Sequence, residues 1–255
     1  MLPVLQLGPL ALPVPGLVLL LGLWLGLLLA ERNAYRSGIS SNHLYNLVFT
    51  ALIAGLVGAR LAYVLQYPQA FLADPLSVIS RNTSLLDPLG GGLVAILAGL
   101  VYGQRKRLPF WSTLDALTPF LAVFAVALGL SHLASGSAFG RATDLPWGFE
   151  IWGETRHPSQ VYETLAAMLI LAALWPGRGL LRPSQPGVYF LEFIALSAAS
   201  RLLLEVFRGD SVLLAGGFRS AQILAWVILG LSLLGLSKLR QTPKAPESIQ
   251  SGEDV

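Results

Sequence analysis

Residues 1–30 contain no Asp, Glu, Lys or Arg. A charge-free run of that length has no stable place on a water-facing surface, but it fits a lipid bilayer. Comparable apolar stretches recur at about residues 44–67, 89–104, 114–134, 161–175, 186–207 and 217–237. With the first span set at about 10–30, these stretches are 15 to 24 residues long. That is close to the ~20 residues that cross a hydrocarbon core of ~30 Å. Only 12% of the chain is charged, about half the ~25% usual in soluble proteins. With 54% hydrophobic residues and a mean hydropathy of +0.65, a soluble globule and a disordered chain are both excluded. The expected fold class is therefore an all-α polytopic membrane protein of about seven transmembrane helices. Residues 1–240 form one transmembrane domain, and residues 241–255 form a polar, disordered cytoplasmic tail. A cleaved leader needs a positive start and a shorter apolar core, so the first span is expected to be retained.

Orientation follows from Lys and Arg. One side carries Arg32, Arg36, Arg105, Lys106, Arg107, Arg178, Arg182, Lys238, Arg240 and Lys244. The other carries Arg81, Arg141, Arg156, Arg208 and Arg219. Ten against five puts the first side in the cytoplasm, the N-terminus outside and the C-terminus inside. The net charge of +3 then reflects orientation and not nucleic-acid binding. The outer stretch 135–159 is long and holds Arg141, Asp144, Glu150, Glu154, Arg156 and His157, with Trp147 and Trp152 suited to the interface. Charge density thus directs the search for a site to the outer face.

Ionisable residues inside spans are the next constraint, because each costs ~2.5–3.5 kcal/mol near the bilayer centre. Arg60 lies in the second span. Glu192, Arg201, Glu205 and Arg208 lie along the sixth, where Arg201, Glu205 and Arg208 share a face at i, i+4 and i+7. One account is that Arg201 and Glu205 neutralise each other and hold helices together. The other is a cation cluster for an anionic headgroup, with Glu205 orienting Arg201, since the guanidinium fork suits phosphate.

The chain has three histidines. His43 reads as a solvated turn residue. His132, late in the fourth span, serves either helix packing or a polar cavity. His157 opens His157–Pro158–Ser159–Gln160–Val161–Tyr162–Glu163. Pro158 suits the first turn of a helix, whose amides would face an anion. Absence of cysteine excludes disulfides, thiolate metal sites and a cysteine nucleophile. Neither a metal-ligand spacing nor the Gly-x-Ser-x-Gly elbow of a hydrolase occurs. Gly90–Gly91–Gly92, Gly136 and Gly140 read as close helix packing or backbone approach to a ligand. The absence of an internal repeat speaks against an inverted-repeat transporter.

Arg156–His157–Pro158–Ser159–Gln160–Val161–Tyr162–Glu163 and Gly140–Arg141–Ala142–Thr143–Asp144–Leu145–Pro146–Trp147 resemble motifs of the bacterial prolipoprotein diacylglyceryl transferases. Further stretches agree in order: Leu7–Gly8–Pro9, residues 58–64 around Arg60, Asp115 with Pro119, residues 201–208, and Gln222. The resemblance runs from about residue 5 to 237. It implies seven spans in the bacterial cytoplasmic (inner) membrane. It also implies transfer of the diacylglyceryl group of phosphatidylglycerol to the lipobox cysteine of a preprolipoprotein, forming a thioether as glycerol-1-phosphate leaves. No cofactor, metal or nucleic acid is implied, and the nucleophile belongs to the substrate. Carried onto this chain, the resemblance makes Arg201, His132 and His157 the catalytic residues. Arg60, Arg141, Asp144, Ser159, Gln160, Tyr162, Glu163, Glu205 and Arg208 become substrate-binding.

The chain departs from the family pattern at defined places. Pro15–Gly16 stands for Tyr-Gly, Gly90 for the histidine of His-Gly-Gly, Gly129 for an arginine, His132 for an asparagine and Ser137 for a glutamate. Two readings follow. One is a divergent transferase in which Arg201 and Arg60 hold the lipid phosphate, Arg141 guards the mouth, and His132 or His157 supports thiol deprotonation. The other is a family member that binds phosphatidylglycerol or lipoprotein precursors without chemistry.

Overall fold

The computed structural model describes residues 4–7, 10–36, 38–80, 82–151, 153–175, 185–214 and 216–241. Arg81, Trp152, Arg178, Arg182, Gly8, Pro9 and the expected tail beyond Gln241, Lys244 included, lie outside the described residues. The chain divides into two compact units, Leu23–Leu121 and the combination of Met1–Gly22 with Ala122–Val255.

Eight α-helices are described: α1 (Val14–Arg36), α2 (Ser41–Gln66), α3 (Pro68–Ala73), α4 (Pro88–Arg105), α5 (Phe110–Ser135), α6 (Ser159–Ala173), α7 (Val188–Leu204) and α8 (Ser220–Gln241). All seven apolar stretches are therefore helical over most of their length; α3 is an extra short helix. Helices are what lipid demands, because they satisfy every backbone donor and acceptor internally. By length and composition, four of the described helices, α1, α2, α5 and α8, can cross a membrane. α6 has 15 residues and α7 has 17, about 23–26 Å at 1.5 Å per residue.

Within the unit of residues 23–121, α2 and α4 meet along a stripe of small residues. Gly55, Gly58, Ala59 and Ala62 fall at i, i+3, i+4 and i+7, one face of α2. A Cβ on Gly91 would come within 2.7 Å of Ala59 Cβ and 2.9 Å of the Gly55 oxygen. A Cβ on Gly90 would meet Ala62 Cβ and lie 2.8 Å from Asp87 Oδ2. The Gly-Gly run thus serves close backbone approach, which in lipid replaces the hydrophobic drive between helices. The start of α4 is set locally: Pro88 fills the first turn and Asp87 Oδ2 accepts from Gly90 N at 2.7 Å. Outward from this seam, Ile53, Leu56, Ile96 and Leu97 are exposed, as lipid-facing residues are. A buried cluster of Leu27, Ala30, Ala34, Leu44, Leu47, Val48, Ala116 and Leu117 forms this unit's core.

In the other unit, Val188, Leu191 and Ala195 of α7 pack with Leu236 of α8. Nearby, Arg240 Nη2 donates to Glu192 Oε1 at 2.8 Å. Three boundaries differ from the expected spans. Residues 10–13 form strand β2 (Leu10–Pro13), paired antiparallel with β1 (Val4–Leu7), so the first helix begins at Val14. Pro15 sits in that first turn, where its missing N–H is not needed. α7 starts after Gly187, whose φ of 96° is a conformation that favours glycine. Its far end tightens into a 3₁₀ turn, Glu205–Phe207.

Residues 135–159 are more ordered than a loop. β3 (Phe149–Ile151) and β4 (Glu154–Arg156) form a hairpin. The segment Gly140–Ala142 lies between two partners through single bridges, Ala142 with Arg156 and Gly140 with Arg208. Arg141 N donates to Phe207 O, His157 N to Arg141 O and Gly209 N to Phe139 O, each at 2.9 Å. Gly140 is required here by contact, since a Cβ would run into the main chain of His157.

Candidate functional site

Every residue of the site described below belongs to the unit of residues 1–22 and 122–255. α5, α6 and α7 line a cleft of about 130 Å³. Its walls are apolar, with Leu128, Ala167, Ile170 and Phe193, and its polar groups are Ser159, Glu163, Arg201 and Arg208. The two motifs read from the sequence therefore converge: Glu163 comes from the first turns of α6, Arg201 from the last turn of α7.

Arg201 Nη2 lies 3.0 Å from Glu205 Oε2, an i, i+4 ion pair. The two side chains are not equivalent, being 37% and 1% exposed respectively. A buried carboxylate needs further partners to offset its desolvation. Ser211 Oγ supplies one, donating to Glu205 Oε1 at 2.6 Å. Arg219 Nη1 then ties the turn together, donating to Ser211 Oγ at 2.7 Å, to Arg208 O at 3.0 Å and to Glu205 O. Glu205 thus anchors one edge of the Arg201 guanidinium and leaves the remainder toward the cleft. Arg208 is held differently, by a two-pronged bond to Asp210 at 2.8 and 2.7 Å. Asp210, Ser211 and Arg219 were not expected as site residues. Arg208–Gly209–Asp210 adjacency is a signal for the first; nothing local points Arg219 back at Glu205.

His132 and Glu163, 31 residues apart in sequence, meet with Nδ1 and Oε2 at 3.0 Å. They sit where α5 and α6 approach closely. A Cβ on Gly129, one turn before His132, would fall 2.5 Å from Thr164 Oγ1 and 3.1 Å from Thr164 Cα and N. The arginine that the resemblance would place at 129 has no room in this packing.

Ser159 Oγ donates to Ala138 O at 2.6 Å and Gln160 Nε2 to Ser137 O at 2.9 Å. Both side chains therefore staple α6 to the bend after α5, where Gly136 (φ 75°) and Ala138 (φ 55°) reverse the chain. Gln160 is fully buried, and its Oε1 has no hydrogen-bond partner among the described residues. The N-terminus of α6 is less open to an anion than expected. Ser159 N donates to His157 O at 2.8 Å, and Val161 N and Tyr162 N donate to Pro158 O at 2.9 and 3.2 Å. Pro158 is the cap residue here and not the first helical residue.

His157 packs against two aromatic rings. Its ring centroid is 5.2 Å from Phe207 and 6.2 Å from Tyr162. Its Nδ1 is buried without a partner among the described residues. Tyr162 OH accepts from Trp147 Nε1 at 2.9 Å. Arg141 and Asp144 have exposed side chains. Arg60 belongs to the other unit, where its guanidinium donates to Leu85 O at 2.8 Å and to Ser80 O. Among the described residues, no group of three or more His, Asp or Glu is placed to hold a metal.

Chemically, this cleft offers a cation paired with a buried carboxylate, a second carboxylate, Glu163, that bonds the His132 imidazole, and an apolar wall. That combination suits an amphiphile with an anionic head. The family model described as prolipoprotein diacylglyceryl transferase matches residues 3–237. A phosphatidylglycerol–prolipoprotein diacylglyceryl transferase of Geobacter sulfurreducens is 33% identical over 242 residues, 89% of this chain and 91% of that protein. One from Bordetella parapertussis is 30% identical over 254 residues, 95% of each chain. One from Photobacterium profundum is 33% identical over 213 residues, 80% of this chain and 78% of that protein.

Proposed function

The chain belongs to the prolipoprotein diacylglyceryl transferase family, and from that premise we propose that it transfers the diacylglyceryl group of phosphatidylglycerol to a lipobox cysteine. The acceptor is the signal peptide of a preprolipoprotein, and the setting is the bacterial cytoplasmic membrane. In this proposal seven helices span, with the N-terminus outside and the C-terminus inside, so the site opens outward. The cysteine thiol loses its proton to a histidine, His132 or His157. The thiolate sulfur attacks the glyceryl carbon that bears the phosphate ester. A carbon–sulfur bond forms, the carbon–oxygen bond breaks, and glycerol-1-phosphate leaves with the bonding electrons on its oxygen. Arg201, with Arg208 beside it, takes the charge that grows on that oxygen, a preorganised donor acting where charge develops. Arg141, exposed on the outer motif with Asp144, attracts the lipid headgroup.

What supports this most is the cleft itself, in which Arg201, Arg208 and Glu163 meet apolar walls. At about 130 Å³ it accommodates a headgroup and not a whole phospholipid. The acyl chains therefore remain in the bilayer, as the reaction requires of a membrane-bound donor. One observation favours the alternative of a binding protein without chemistry: Gly129 leaves no space for the family's arginine.

The test uses purified protein in phosphatidylglycerol vesicles with a lipobox peptide, read by mass spectrometry against an enzyme-free control. The expected result is a diacylglyceryl thioether on the peptide cysteine, lost in Arg201→Ala. Unchanged product in that variant would overturn the phosphate site. Absence of product with lipid binding intact would establish the binding alternative.

A further inference from the structure

We propose that the proton acceptor for the attacking thiol is His132 Nε2, with Glu163 as the residue that positions it; this rests on the transferase reading above. The imidazole has two nitrogens, and the structure commits one of them. Nδ1 is 3.0 Å from Glu163 Oε2. A carboxylate there accepts an Nδ1–H, so the neutral ring carries its lone pair on Nε2. A carboxylate that fixes the tautomer and stabilises the imidazolium as it forms is the division of labour seen in Ser-His-Asp enzymes. Neither side chain is buried away: His132 is 25% exposed and Glu163 26%. Glu163 lines the cleft with Arg201 and Arg208, so the residue that holds the imidazole is itself among the groups assigned to the leaving phosphate.

His157 lacks the carboxylate partner. Its Nδ1 is buried and has no partner among the described residues, and Phe207 and Tyr162 pack against its ring at centroid distances of 5.2 and 6.2 Å. No carboxylate among the described residues bonds its Nδ1. It serves as a wall and a strand end, its N–H bonded to Arg141 O at 2.9 Å. Position 90, where the resemblance expects a histidine, is a glycine in contact with Ala62 and Asp87, so His132 is the histidine left to do this work. In the step itself the cysteine S–H proton passes to Nε2, and the sulfur attacks as thiolate. The imidazolium then returns the proton to the departing phosphate or to water.

The test compares two peptides, identical except that one carries selenocysteine at the lipobox cysteine, under reducing conditions. A selenol is ionised at neutral pH and needs no base. Transfer to the cysteine peptide is expected to fall by about 10²–10⁴ in His132→Ala, the usual range for losing a general base. Transfer to the selenocysteine peptide stays within a few-fold of wild type, which also shows that the variant folds. His132→Asn, which keeps a group able to bond Glu163, behaves like the alanine. Glu163→Gln loses part of the rate with cysteine and little with selenocysteine. Arg201→Ala loses both substrates. An equal loss of both in His132→Ala and His132→Asn would overturn the proposal in favour of a packing role, as would full activity on the cysteine peptide. Wild-type protein silent with both peptides would instead overturn the transferase reading, and the base with it.

Discussion

Gly129→Ala adds one methyl group at the contact between α5 and α6. In a helix interior the change alone favours Ala by about 1 kcal/mol. Packing opposes it. The new Cβ lies 2.5 Å from Thr164 Oγ1 and 3.1 Å from the Thr164 Cα and N. The hydroxyl is not free to swing away, because Thr164 is 5% exposed and Oγ1 donates to Gln160 O at 2.7 Å. Turning it out forfeits about 1 kcal/mol of hydrogen bonding. The two backbone atoms cannot turn at all, so the helices must separate by a few tenths of an ångström. Overpacking of this kind costs about 1–3 kcal/mol. The balance is a net loss of roughly 1 kcal/mol, since about 1 kcal/mol of propensity offsets about 2 of strain. Gly129→Arg loses more. The same separation stretches the His132–Glu163 bond, now 3.0 Å, so transfer falls as well as stability. The assay is the unfolding midpoint in one detergent, paired with the single-turnover transfer rate. A Gly129→Ala protein that is more stable than wild type by about 1 kcal/mol, with transfer unchanged, would refute the packing argument. It would also reopen position 129 to the family's arginine.

Three further outcomes are expected. Glu205→Gln keeps the Ser211 bond but removes the ion pair at 3.0 Å. An ion pair with one partner 37% exposed is worth about 1 kcal/mol, so transfer at fixed lipid falls about fivefold. Gly140→Ala drives a Cβ into the His157 main chain and separates the strands at 140–142 and 154–157. Its hydrogen–deuterium exchange rises at Arg141 and His157, whose amides are bonded in the parent. Arg60→Ala leaves the oxygens of Leu85 and Ser80 without that donor and lowers the unfolding midpoint by about 1 kcal/mol. An Arg60→Ala midpoint equal to wild type would show that water replaces the guanidinium there.

The membrane class was legible from the sequence because lipid imposes a local rule. A span must be predominantly apolar and must satisfy its backbone groups within the segment. Seven apolar runs therefore announced seven helices without any knowledge of their neighbours. Arg201 and Glu205 were legible as a pair for the same reason, since i, i+4 spacing is a property of one helix. The sequence also singled out residues 157–163, and the staple from Ser159 and Gln160 to the bend at 137–138 is a tertiary fact.

Contacts between elements were decided only by the tertiary structure. His132 and Glu163 lie 31 residues apart, and Arg219 reaches back 14 residues to Glu205. A helix apolar on all sides carries no periodicity to show which face turns inward. Rotation and crossing are then set by small-residue contacts such as Gly129 against Thr164. Strand pairing at Gly140–Ala142 was hidden too, because its partners come from both sides of α6 and α7 in sequence. Composition and spacing determined that this chain enters a membrane and which polar residues it carries there. Helix packing decided which of them meet, because lipid selects apolar surface but is indifferent to which apolar surface faces which.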